Sequence, residues 1–219
     1  MQDIIDQFNR GDKEAAISAA VQLIDEQPHE PGNHALLATM LINMRAYDQA
    51  DELLVKALGL FPDQEELRYD WGLSAYQQGD YQNALARLLP LTKPQIQANL
   101  RADASYMVAL TYKAADDNLH ALAFAMTASE LNPKASDAAV LTANLLLALG
   151  SLKEAQQLLR PFIETKNGQV QLTYGMILSA LGEDGSAYLE AAKTESPDAY
   201  ARARELVQFL KQQDGEQHD

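Results

Sequence analysis

Apolar residues recur along this chain at helical spacing, in blocks that come in pairs. Tyr69, Leu73 and Tyr76 stand at i, i+4 and i+7, and Val140, Asn144 and Leu147 repeat that spacing. Such periodicity predicts helices that present one face to a core. Four stretches line up: His34–Pro62, Arg68–Leu91, Ser105–Pro133 and Ala139–Phe162. Each reads as a helix, a tight turn and a second helix. No run of alternating Val, Ile and Thr between turn dipeptides predicts a strand. Ala16, Ala50, Ala84, Ala121, Ala155 and Ala187 form a ladder with steps of 34, 34, 37, 34 and 32 residues. A step of that size marks stacked repeats rather than one globular core.

Small residues have a packing purpose. Ala38, Gly72, Ala109, Ala143 and Gly175 fall midway along each first helix, and the alanine ladder falls near the start of each second helix. Two helices cross closely only where side chains are small. Gly11, Gly79, Gly150 and Gly182 occupy four of the six turns; Arg45 and Asp116 occupy the other two. Glycine enters the left-handed region cheaply, so the turn at Asp116 is expected to be strained or differently closed. Pro28, Pro62 and Pro133 end second helices.

These expectations give repeats over about 1–30, 31–64, 65–101, 102–135, 136–167 and 168–195, a capping helix over 196–212 and a polar tail over 213–219. Within 1–212 they form a single domain. Ser196 reads as the N-cap and Pro197 as the first residue of the capping helix, with Arg202, Arg204, Lys211 and Gln212 on its outer face. Pro90 and Pro161 sit at equivalent points inside second helices and should end them early. After Pro90 the repeat runs three residues long, so 90–101 reads as a hinge or as a rigid local kink.

The residues now carry a resemblance. Trp71-Gly72, Tyr76, Gly79-Asp80-Tyr81 and Ala84 follow the pattern of the tetratricopeptide repeat family, as do Leu37-Ala38, Tyr47, Ala50, Ala57 and Pro62, and Ala109, Tyr112, Ala121, Ala128 and Pro133. The resemblance covers residues 1 to about 195. It implies an all-α, right-handed superhelical solenoid of about six helix-turn-helix repeats, with the first helices lining a concave face.

On that face the expected stripe is Ala35, Thr39, Ile42 and Asn43; Tyr69, Leu73, Tyr76 and Gln77; Tyr106, Leu110 and Lys113; Val140, Asn144 and Leu147; and Leu172, Met176 and Ser179. An exposed apolar strip with aromatics suits a binding groove. Tyr69, Tyr76 and Tyr106 would be its anchors, and Asn43, Gln77 and Asn144 would bond a partner's backbone. The alternative is that superhelical closure, or the chain's own C-terminal segment, buries the strip. Family members that clamp the acidic tails of cytosolic chaperones use Lys, Asn and Arg along this stripe. Here Ala35, Thr39, Tyr69, Asp70, Leu73 and Met107 stand there, so that ligand is not expected.

Charge and composition narrow the partners. Net charge is −14, which repels nucleic acid and anionic membrane surfaces. There is no cysteine, so disulfides, zinc-thiolate sites and thiol nucleophiles are excluded. No run of apolar residues is long enough to span a membrane, and MQDIIDQFNR lacks the basic and apolar regions of a signal peptide, so a cytoplasmic protein is expected.

Catalytic and nucleotide-binding motifs are absent, as is any helical pair among His29, His34, His120 and His218; no metal or cofactor is expected. His34 is expected to replace an aromatic at a first-helix start. Glu66, Asp103 and Asp137 are expected to offset first-helix dipoles, with an acidic groove rim that selects a basic ligand flank as the alternative. Together these features imply a non-enzymatic adaptor, scaffold or chaperone that binds an apolar extended peptide or helix of a partner protein. The rival reading is a structural subunit of a homo-oligomer, a homodimer included, or of a multiprotein complex.

Overall fold

The computed structural model describes residues 1–201, 203 and 204. Arg202, Lys211, Gln212 and the 213–219 tail lie outside the described residues. Six helix pairs follow one another: α1 (Gln2–Asn9) and α2 (Lys13–Glu26); α3 (Pro31–Asn43) and α4 (Tyr47–Leu60); α5 (Glu65–Gln77) and α6 (Tyr81–Leu88); α7 (Ala98–Ala114) and α8 (Asn118–Leu131); α9 (Ser136–Ala148) and α10 (Leu152–Leu159); α11 (Gly168–Ala180) and α12 (Ser186–Glu195). A further helix begins at Pro197. Two compact units are present, Met1–Phe124 and Ala125 onward.

All six turns inside the pairs close the same way. Gly11, Gly79, Gly150 and Gly182 have φ of 101°, 77°, 78° and 78°, and Arg45 and Asp116 both adopt φ of 60°. The turn at Asp116 is therefore not differently closed. It holds a side chain in the left-handed region, as Arg45 does, where only glycine sits without steric opposition.

The small-residue crossings hold through five pairs, where Ala16, Ala50, Ala84, Ala121 and Ala155 are fully buried. The sixth rung differs from the expectation. Ala187 is exposed, and Leu189 stands one repeat of 34 residues after Ala155. Leu189 fits because its opposite number is Gly175; a Cβ built on Gly175 would lie 2.8 Å from Leu189 Cγ and 3.2 Å from the Gly185 carbonyl oxygen. The second helix here carries bulk, and the glycine on the first makes room for it. Gly72 likewise leaves room for the fully buried Leu88, one turn beyond Ala84, whose Cγ would lie 2.5 Å from a Cβ there.

Both internal prolines shorten their helices. α6 ends at Leu88 and passes into a 3₁₀ turn over Leu89–Thr92, and α10 ends at Leu159 before a 3₁₀ turn over Arg160–Phe162. The long repeat is absorbed by α7, which has 17 residues where α3, α5, α9 and α11 have 13. The junction before α7 is a packed kink, not a hinge. Leu91 and Ile96 are buried, the Ile96 N–H donates to the Lys93 carbonyl, and Arg101 donates to the Pro94 carbonyl at 3.1 Å. The whole junction lies inside the first unit.

Candidate functional site

In the first unit, α5 and α7 carry the central part of the predicted stripe. Ala75, Ala104, Met107 and Val108 form the buried floor, and Tyr69, Leu73, Tyr76, Tyr106 and Leu110 pack on it while staying partly exposed. Gln77 and Lys113 are exposed at the C-terminal ends of these helices. The Tyr47 hydroxyl donates to the Gln77 side-chain oxygen at 3.3 Å. Tyr76 leans on Tyr81 with ring centroids 6.1 Å apart.

Other parts of the stripe depart from the expectation. Ile42 is 2% exposed and belongs to the core with Leu54 and Leu67, so it cannot contact a partner. Of the predicted stripe on α3 only Ala35, half-buried, and Thr39 and Asn43, exposed, reach the surface, and the Thr39 hydroxyl is spent on the Ala35 carbonyl. Val140 and Leu172 are also buried. Apolar residues at helical spacing cannot by themselves report which of two neighbouring stripes faces inward.

In the second unit the stripe ends under the chain's own C-terminal helix. Leu172 is buried with Ala192 and Ala199, and Met176, Leu189, Tyr200 and Ala203 pack around them. That is the self-burial alternative, realised at α11. Asn144 is half-buried and accepts from the Thr173 hydroxyl at 3.3 Å; Leu147 is half-buried and Ser179 exposed.

The α5–α7 face is electrostatically unusual. Burial, reinforced by the Glu66 carboxylate one helical turn away, pushes Asp70 up to about 7. Burial likewise pushes Tyr69 up to about 12, with Asp103, Asp70 and Tyr106 adding to it. Burial also raises Asp103. Asp103 is the sixth residue of α7, and the first turn of that helix holds no acid, so Asp103 does not serve the helix dipole. Glu66 does lie in the first turn of α5, as Asp137 does in that of α9. Two aromatic rings and three carboxyl groups thus share one surface, with no cation among the groups that perturb them.

Elsewhere polar groups are consumed by structure. His34 is buried, meets the Phe61 ring edge-on at 5.5 Å and sits 3.3 Å from the Glu30 carbonyl, as its replacement of an aromatic suggested. His120 pairs with Asp117 at 2.7 Å over the Tyr112 ring. Trp71 is half-buried, and the Arg87 guanidinium lies 3.8 Å above it while donating to the Trp71 carbonyl. Among the described residues no group of three His, Cys, Asp or Glu is placed to hold a metal ion, and no helix is long and apolar enough to cross a membrane.

No protein-family model matches the sequence, and no curated protein matches it significantly. Solved structures do match. PilF of Pseudomonas aeruginosa superposes with a TM-score of 0.78 at 19% identity, covering 94% of this chain and 95% of PilF. PilW, a widely conserved type IV pilus biogenesis factor, gives 0.73 at 17% identity, covering 90% of this chain and 92% of its own. YrrB, a tetratricopeptide-repeat protein with an unusual peptide-binding site, gives 0.63 at 19% identity over 85% of this chain and 98% of YrrB. The chain has the tetratricopeptide-repeat fold. The helix pairs, turns and small-residue crossings described above are this fold's repeat, with Leu189 facing Gly175 in the sixth pair.

Proposed function

We propose that the chain is a non-enzymatic protein-interaction module, and that its principal site is the α5–α7 face. The observation that carries this reading is the row of partly exposed Tyr69, Leu73, Tyr76, Tyr106 and Leu110 over a floor already filled by smaller residues. The core beneath is complete, so these side chains have apolar surface left for a partner. Burying it would supply most of the affinity, at about 25 cal/mol per Å². The partner segment is mainly apolar, an extended peptide or a helix. A basic residue at its flank would meet Asp70 and Asp103, and ionised Asp70 would then gain the cation it lacks.

Extensive mutual coverage with PilF and PilW favours a second, narrower reading: a scaffold in the biogenesis of type IV pili. The first reading is tested by capture from the native lysate with immobilised wild-type chain and with the Tyr69→Ala/Tyr106→Ala double variant. A protein retained by the wild type and lost by an equally stable variant supports the site. Identical captured proteins would refute it. Pilus assembly proteins among those lost would favour the narrower reading.

A further inference from the structure

We infer that a cleft between α8 and α10 is a second docking site, and that it takes a partner-protein helix presenting a Lys or Arg side chain among apolar ones. The cleft lies wholly in the second unit and has a volume of about 340 Å³. Met126, Leu146 and Leu158 give it apolar walls from α8, α9 and α10. An adjoining cavity of about 260 Å³ shares Leu158 and Ser129 with it and runs on to Pro161 and Phe162. The opening has a cause in the sequence. Pro161 ends α10 at Leu159 after 8 residues, while α8 runs 14 residues to Leu131. Beyond Leu159 the last turn of α8 therefore meets the 3₁₀ turn of Pro161 and Phe162 and not a continued α10.

The polar atoms of the cleft define the occupant's chemistry. The Thr142 hydroxyl donates its one proton to the Ala138 carbonyl at 2.8 Å. Ser129, 3.1 Å from Thr142 Oγ1, must then be the donor in that pair. Both protons face protein, and the Ser129 oxygen keeps acceptor capacity. Glu130 and Glu154 add two carboxylates from α8 and α10, and neither forms an ion pair among the described residues. The side-chain polar groups lining the cleft are thus oriented as acceptors. A long side chain with an apolar stem and a cationic head fits: the stem lies along Met126 and Leu158, and the head donates to the carboxylates. An acidic ligand would meet two like charges in a chain of net charge −14. Met126, 45% exposed, supplies the adaptable apolar contact that helix-in-groove recognition uses.

The test works whichever protein supplies that helix. A displayed random-peptide library is selected on the full chain, and the survivors are measured against Glu130→Gln/Glu154→Gln and against Met126→Ala. All three positions are exposed, so both variants should melt with the wild type. The expected result is peptides that carry Lys or Arg beside apolar residues, shift the Met126 methyl resonance and bind Glu130→Gln/Glu154→Gln about tenfold more weakly. Their binding to Tyr69→Ala/Tyr106→Ala should be unchanged, which separates this cleft from the α5–α7 face. Selected peptides without a basic residue, peptides that bind both cleft variants as well as the wild type, or no peptide at all would overturn the inference.

Discussion

Replacing Asp70 by Asn should stabilise the folded chain, and by an amount that grows with pH. Asp70 rises from an ordinary 3.8 to about 7 because α5 half-buries it beside Glu66. The folded state therefore holds a proton that the unfolded state has released, and stability falls as pH rises between those values. Below about pH 4 both states carry a neutral Asp70 and the group has no effect. Above about pH 7 the full penalty stands. A change from 3.8 to about 7 corresponds to about 4 kcal/mol at 1.36 kcal/mol per tenfold. Water still reaches the carboxyl and screens it, so roughly 2 kcal/mol is expected at pH 8. Half of that is expected near pH 5.5, midway through the window. Urea unfolding followed through Trp71, the one tryptophan and the adjacent residue, measures both values. An equal gain at the two pH values would show that Asp70 does not titrate in this range. A loss of stability would show that its carboxylate is satisfied in the fold.

Further outcomes follow from packing. Gly175→Ala should destabilise by about 1–3 kcal/mol, because its Cβ would press on Leu189 and the Gly185 carbonyl, whereas Ala187→Leu should be tolerated. The reverse order in thermal melts would restore Ala187 as the sixth rung. Gly72→Ala should cost a similar amount, and adding Leu88→Val should recover part of it by trimming the atoms it strikes; a strictly additive loss would contradict that close approach. Arg45→Gly should raise stability by a few tenths to about 1 kcal/mol by removing a side chain from φ of 60°, and a lower melting temperature would mean that Arg45 makes a compensating contact.

The repeat was legible because it is written in small residues and glycines, whose steric roles depend little on context. The ladder misread its sixth rung for a physical reason. A close crossing requires one small partner, and either helix can supply it, so following alanine alone picked Ala187 over Leu189. The prolines were equally readable, since a missing N–H ends a helix wherever it stands. The site was less legible. Ile42, Val140 and Leu172 share the apolar character and spacing of Leu73 and Leu110, and only packing tells the two sets apart. Asp103 read as a dipole acid until α7 began at Ala98 and placed it in the second turn. The α8–α10 cleft left one trace in the sequence, Met126, Ser129 and Glu130 at i, i+3 and i+4, which has no meaning until Pro161 is seen to withdraw the neighbouring helix.

The central claim is that the α5–α7 face holds a partner, and site-specific photocrosslinking tests it most directly. A benzophenone amino acid placed at Tyr69 in the source cell should form an adduct with one discrete protein. The same group at Leu60, 64% exposed and off the stripe, should not. No adduct at Tyr69, or the same adducts from both positions, would contradict the account.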